Sequence, residues 1–189
     1  PTYPLTSSDT PDKPNTADLV NQPADVSFLA DWVTSLPDTN PLAATVDRER
    51  LGLAGHSLGA FTSLAAAYNP AFRDDRVDAV AEWAGAYVGR LSTGGDAVQD
   101  GPPLLVIHGD DDDTVPYEAA PATVKEVGEP WWLVTLVGGT HIPPYVQGRN
   151  DPSSTVVSET TLEFFDATLK DDDSGYDRLA ETVTEAGPK

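Results

Sequence analysis

The sequence predicts an α/β fold in which a mostly parallel sheet is covered by helices on both faces. Three observations carry this reading. Short, unbroken apolar runs occur at "RLGLAG" (50–55), "VDAVAEWAG" (77–85), "PLLVIHG" (103–109) and "WWLVTLVG" (131–138). Segments with helical spacing lie between and around them. No internal repeat or composition break divides the 189 residues. Continuous rather than alternating apolar strands are what a sheet buried on both faces requires.

Taken in order, "PTYPLTSSDTPDKPNT" (1–16) is dense in Pro, Ser, Thr and Asp, and an irregular segment is expected over residues 1–20. A core is expected over 22–170 and a C-terminal helix or tail over 171–189. From Gln22 the chain turns helical, with Val26, Leu29, Val33 and Leu36 on one stripe and Pro37 as the stop. The strand 50–55 leads into a helix, "LGAFTSLAAAY" (58–68), that ends before Pro70. After the strand 77–85 a Gly-rich loop runs through residue 101, the strand 103–109 follows, and then a helix over about 117–127. The strand 131–138 and a second Gly-rich loop lead to a last helix entered at "DPSS". There Asp151 is suited to cap and Pro152 to occupy the first turn, with Leu162, Phe165 and Leu169 marking the inner face. Trp131 and Trp132 begin a strand on opposite faces and read as packing residues.

Asp plus Glu number 31 against 11 Lys plus Arg, a net charge of −20, which excludes nucleic acid and anionic membrane surfaces as partners. The acidic residues are dispersed and lysine is sparse, a pattern of proteins kept soluble at high salt. A neutral or apolar substrate is expected. No apolar run is long enough to span a bilayer. Cysteine is absent, which removes disulfides, thiolate metal sites and a cysteine nucleophile. Methionine is absent even at position 1, so a processed or cut chain is expected.

The chemistry begins at "GHSLG" (55–59), a Gly-X-Ser-X-Gly pattern between an apolar strand and a helix. Such a strand-to-helix turn lifts Ser57 above the sheet, Gly55 and Gly59 leave room for it, and the backbone N–H of Leu58 becomes an oxyanion donor. A serine nucleophile also needs a base, and the base an orienting carboxylate. "HGDDDDTVPY" (108–117) offers four aspartates at a strand end. Four adjacent like charges also suit a solvated turn or a weak calcium site; we choose Asp112 as the carboxylate, with Asp113 as the alternative. Of the three histidines, His56 lies inside the elbow and His108 precedes the acid, which leaves His141, in "LVGGTHIPPY", as the base in the order Ser, acid, His. The loops after the strands also carry Trp83, Tyr87, Ile142 and Tyr145, and Trp83, Ile142 and Tyr145 are the candidate substrate-binding residues of an open apolar cleft. "KDDDSGYDRLAE" (170–181) has Asp172, Ser174, Gly175 and Glu181 in calcium-loop register, but Lys170 stands at the first ligand position and excludes the site. No phosphate loop or His/Glu metal motif is present.

"GHSLG", "HGDDDDTVPY" and "GGTHIPPY" together resemble α/β-hydrolases of the group containing platelet-activating-factor acetylhydrolases, dienelactone-hydrolase-like esterases, chlorophyllases and cutinase-type polyester hydrolases. The resemblance extends from about Tyr3 to the C-terminal helix. It implies a serine carboxylic-ester hydrolase working through an acyl-enzyme, with no cofactor and no metal, secretion, and small neutral or aromatic esters or polyesters such as poly(ethylene terephthalate) as substrates. It also puts the acid four residues after the histidine of the "HG" strand end, on Asp112, and the aromatic that lines the ester site on Trp83. Members of the group carry several strands, and a loop with the second oxyanion N–H, ahead of the elbow. This sequence opens on what resembles the stretch after their fourth strand, so the fold is expected to lack its N-terminal side. Its strand 50–55 is then expected to have one bare edge, answered by a fragment's missing half, by a homodimer or by an N-terminal covering segment. The alternatives in function are a peptidase or amidase of the same fold and a non-catalytic binding module.

Overall fold

The computed structural model describes residues 3–6, 15–87, 96–146, 151 and 153–186. Half of the expected irregular opening, half of the Gly-rich loop before residue 101, and Pro152 lie outside them. The elements are α1 (Gln22–Thr34), β1 (Leu51–His56), α2 (Leu58–Tyr68), β2 (Val77–Trp83), β3 (Leu104–Gly109), α3 (Ala119–Val127), β4 (Trp131–Leu136), α4 (Ser153–Leu169) and α5 (Ser174–Ala186). The strands form one sheet in the order β1-β2-β3-β4, every pair parallel.

The register aligns His56 with Trp83, Trp83 with Ile107 and Ile107 with Val134, so all four strands deliver their following loops to one end of the sheet. In open α/β sheets that carboxyl end is where ligands bind. On one face Val80, Leu104 and Val106 pack with Leu64 and Tyr68 of α2 and Val124 and Val127 of α3. On the other, Ala79, Ala81, Leu105, Ile107 and Val134 pack with Val157 and Phe164 of α4 and Leu179 of α5. Both faces of the two middle strands are therefore dry, which is why these runs are apolar at every position rather than at every second one.

Several elements differ from expectation. Residues 16–20 are not irregular but form a 3-10 turn that Asn15 caps, its side chain accepting from the Ala17 N–H at 3.1 Å. Gln22 is fully buried and ties this corner down: its Nε2 donates to Thr6 Oγ1 (2.8 Å) and its Oε1 accepts from Thr62 Oγ1 (2.6 Å). α1 stops at Thr34, one turn before Pro37. β2 ends at Trp83 because Ala84 adopts φ 48°, which breaks the extended chain. Asp151 caps α4 as expected, accepting from the Ser153 N–H at 2.8 Å. The inner face of α4 is rotated, however. Val157, Thr160, Thr161, Phe164 and Ala167 are buried, Phe165 and Leu169 flank them, and Leu162 is 60% exposed. Threonine hydroxyls made that stripe look polar in sequence. Thr160 and Thr161 instead donate to the Val156 and Val157 carbonyls one turn back, which lets them face the core. Trp132 stacks on Tyr176 of α5, ring centroids 4.8 Å apart, while Trp131 is partly exposed. In the segment that has calcium-loop register, Asp172 instead accepts from Ser174 and Arg178 at the start of α5.

β1 pairs with β2 alone among the described residues. Beside its free edge lies a cavity of about 1010 Å³, floored by Leu51 and Leu53, walled by Val26, Leu29 and Val33 of α1, and reaching His56 and Leu58.

One buried charge stands out in the sheet. Glu82 of β2 is wholly buried; Oε2 accepts from the Gly85 N–H at 2.8 Å, and Oε1 has no partner among the described residues. Burial pushes its carboxyl up from the ordinary 4.5 to about 8, the single N–H opposing only in part. The folded chain therefore keeps a proton that the unfolded chain releases, and this part of the stability is full below about pH 4.5 and lost as pH rises to about 8. Urea unfolding at pH 5 and pH 8 is expected to show wild type losing stability relative to Glu82→Gln over that interval; parallel behaviour of the two proteins would mean that Glu82 is ionised in the folded state.

Candidate active site

Ser57 sits between the last residue of β1 and the first of α2 with φ 53° and ψ −120°, a conformation that costs a non-glycine residue on the order of 1–3 kcal/mol. The surroundings hold it there. Its N–H donates to the Trp83 carbonyl at 3.0 Å, and its own carbonyl accepts from Ala60 and Phe61 to start the helix. Turning this sharply brings the chain back on itself: a Cβ on Gly55 would stand 2.2 Å from the Gly59 carbonyl oxygen. Gly59 differs from expectation, since a Cβ there meets nothing within 4 Å; it faces the cavity along β1. Leu58 opens α2, so its N–H has no acceptor within the helix and is free for a ligand oxygen.

The four aspartates after β3 have different fates. Asp112 alone is buried, while Asp110, Asp111 and Asp113 are exposed. Its Oδ1 accepts from the Thr114 and Val115 N–H groups, both at 2.9 Å, which leaves Oδ2 to accept from His141 Nδ1 at 2.7 Å. Asp110 accepts from the Gly138 N–H at 2.6 Å and thereby ties the acid loop to the loop after β4. The two loops meet so closely that a Cβ on Gly109 would lie 2.1 Å from the Gly139 carbonyl oxygen. Burial by itself would push the Asp112 carboxyl up. The hydrogen bonds from His141, Val115 and Thr114 outweigh it and hold the group below the usual carboxylate range.

His141 is buried, with Nδ1 toward Asp112 and Nε2 2.9 Å from Ser57 Oγ. A carboxylate can only accept, so Nδ1 carries the proton and the Nε2 lone pair faces the serine hydroxyl. The structure thus brings Ser57, Asp112 and His141 into one hydrogen-bonded chain. His108 lies behind it, buried, with Nε2 2.8 Å from the Val115 carbonyl and 3.5 Å from Asp112 Oδ2. His56 lies in front, its Nε2 2.7 Å from the His141 carbonyl.

The candidate substrate-binding residues separate. Trp83 both borders the β1 cavity and packs on the α4 face, its Nε1 donating to Thr161 Oγ1 at 3.2 Å. Ile142 is exposed beside His141. Tyr145, in the 3-10 turn Pro143–Tyr145, is half-buried: its ring stacks on His56 and its hydroxyl donates toward the Ile107 carbonyl at 3.4 Å. Tyr87 is likewise a core residue, packed with Leu64, Val106 and Val124. Two features escaped sequence reading, the buried Glu82 and the contact of His56 with the His141 carbonyl. Glu82 had one signal, a lone acid inside an otherwise apolar strand.

A parallel sheet with helices on both faces and a positive-φ serine between strand and helix is the α/β-hydrolase fold. No protein-family profile and no curated protein sequence matches the chain. Solved structures do. Thermogutta terrifontis esterase 2 phosphorylated by paraoxon superposes with a TM-score of 0.60 at 18% identity, over 83% of this chain and 66% of that one. The native form of the same thermophilic esterase gives 0.59 at 16% identity over 84% and 67%, and its propionate-bound form 0.59 at 17% over 80% and 65%. The chain thus spans about two thirds of the length of these esterases.

The elbow contacts yield a prediction about stability. Gly55→Ala is expected to cost about 1–3 kcal/mol or more, since backbone rather than a movable side chain blocks the new methyl, whereas Gly59→Ala should melt like wild type. Thermal unfolding of both variants checks this; equal melting temperatures would mean that the elbow is looser than described.

Proposed function

We propose that the chain is a serine carboxylic-ester hydrolase. The observation that carries the reading is the unbroken chain of hydrogen bonds, Asp112 Oδ2 to His141 Nδ1 at 2.7 Å and His141 Nε2 to Ser57 Oγ at 2.9 Å. As His141 Nε2 takes the hydroxyl proton, Ser57 Oγ attacks the ester carbonyl carbon and the carbonyl oxygen becomes an oxyanion within reach of the Leu58 N–H. The imidazolium that forms is stabilised by Asp112, which stays ionised. Collapse of the tetrahedral intermediate breaks the bond to the alcohol, and His141 returns the proton to that leaving oxygen. Water then attacks the acyl-enzyme by the same route, releasing the acid and restoring Ser57. No step uses a metal or cofactor. That the superposing esterase is phosphorylated by paraoxon supports an electrophile-accepting site of this kind, and its propionate-bound form supports one that holds a small carboxylic acid.

Short-chain nitrophenyl esters are the expected substrates, and paraoxon is expected to phosphorylate Ser57. Ser57→Ala or His141→Ala should each remove at least ~10³-fold of the rate. Asp112→Ala should be far more damaging than Asp113→Ala, since only Asp112 is buried against His141. Turnover that survives Ser57→Ala would refute the assignment.

The finer reading is a cutinase-type site for neutral and aromatic esters, polyesters included. Net charge of −20 disfavours anionic substrates, and Trp83 with exposed Ile142 offers an apolar surface near Ser57. Aromatic and short-chain esters should be preferred over long-chain triglycerides, with Trp83→Ala slowing both a soluble aromatic ester and polyester film. Unchanged rates in that variant would reduce Trp83 to a packing residue. A second reading, a binding module without turnover, is favoured by one observation: among the described residues the Leu58 N–H is the single oxyanion donor, and loss of one such donor costs on the order of 10²-fold to 10³-fold. Paraoxon labelling without ester turnover would select it.

A further inference from the structure

We propose that His56 is a positioning residue for His141: its Nε2–H donates to the main-chain carbonyl of His141 and sets where that ring stands relative to Ser57. The inference rests on the ester-hydrolase reading for its kinetic consequence, and on geometry alone for its structural one.

The loop that carries His141 follows β4, at the opposite edge of the sheet from β1, which ends next to Ser57. No strand ladder joins the two. The loop must cross the ends of β2 and β3 to arrive at the serine. Its ties to the strand β3 side are several, through Gly138 and Gly139 to the Asp110–Asp111 turn. Among the described residues, two hydrogen bonds join it to the β1–α2 junction: His141 Nε2 to Ser57 Oγ, and His56 Nε2 to the His141 carbonyl at 2.7 Å. The first is broken and remade whenever the serine reacts. The second touches no reacting atom, and it anchors the base's own backbone to the residue that precedes the nucleophile.

The chemistry of the donor suits that position. A carbonyl only accepts, so Nε2 of His56 is the protonated nitrogen. Burial holds the His56 pKa below its ordinary value and the neighbouring His141 lowers it further, against the hydrogen bond to the His141 carbonyl and the Asp112 charge, so the neutral ring is favoured. A neutral donor fixes the carbonyl without placing a second positive charge beside the imidazolium that His141 becomes during the reaction. Its ring is wedged between two others, stacked on Tyr145 with centroids 5.1 Å apart and tilted against His141 at 4.9 Å. The hydrogen bond therefore has a fixed direction.

His56→Phe keeps a ring in the wedge and removes the donor; His56→Gln places an amide N–H near the Nε2 position without a ring. With a nitrophenyl ester, His56→Phe is expected to lose on the order of 10-fold to 10²-fold in kcat with KM little changed, and His56→Gln to recover most of it. Equal losses in both variants, full kcat in His56→Phe, or a loss confined to KM would overturn the proposal. Ring-nitrogen NMR provides the arm that does not depend on turnover. Wild type should show His56 protonated at Nε2, and the His141 ring signals should move in His56→Phe and stay in His56→Gln. An Nδ1–H tautomer at His56 in wild type overturns the proposal even if His56→Phe fails to fold. Failure of wild type to turn over esters or to react with paraoxon at Ser57 would instead reject the hydrolase reading, leaving the NMR result to decide the role of His56.

Discussion

Everything at the site depends on where one carboxylate points. Asp112 spends Oδ1 on the two N–H groups of its own turn, so the side chain cannot rotate, and Oδ2 is left facing His141 Nδ1. That contact selects the tautomer of His141, and the tautomer decides that a lone pair rather than a proton meets Ser57 Oγ. For the contact to exist, the loops after β3 and β4 must almost touch. The pair Gly109 and Gly139, which has no space for a methyl group, is what permits it.

Asp112 and Glu82 show that burial by itself does not decide the state of a carboxyl group. Both are shut away from solvent, and both would be driven toward the neutral acid by that alone. Asp112 has a donor set of three, from His141, Thr114 and Val115, and stays ionised; Glu82 has the single N–H of Gly85 and keeps its proton. The first arrangement sets an ionised carboxylate against His141 Nδ1. The second is a packed acid within the sheet, and the structure shows no chemistry for it. Outside these two, the acidic residues among the described residues are in contact with solvent, several of them clasped by arginines. Arg76 alone joins Asp74 to Asp31 of α1.

The two edges of the sheet are unlike each other. β4 begins on Trp131 and Trp132, and Trp132 is held against Phe164 and Tyr176. β1 is covered on its faces by α2 and α4, yet its outer backbone faces the cavity walled by α1. That cavity runs to His56, Leu58 and Trp83, so the open edge reaches the residues that flank Ser57. Whatever occupies it would meet the elbow on the side where Gly59 leaves room.

The sequence by itself determined the local elements and marked Ser57 and His141 as side chains to be brought together. Unbroken apolar runs mark strands buried on both faces, and a Gly-X-Ser-X-Gly between strand and helix marks the elbow, because both signals depend on neighbours within a few residues. His141 and the run of four aspartates were legible for the same reason, as side chains at strand ends in a fixed order, and the resemblance placed the acid on Asp112. What only the tertiary structure decided was everything set by contacts between distant segments. Which of four adjacent aspartates is buried, that Tyr87 turns inward and Tyr145 stacks on His56, that Leu162 faces solvent while two threonines face the core, and that His56 reaches the backbone of His141 all depend on how elements far apart in the chain pack. Each of these choices turns on a hydrogen bond or a steric limit of an ångström or less, and sequence spacing carries no information at that scale about a partner 85 residues away.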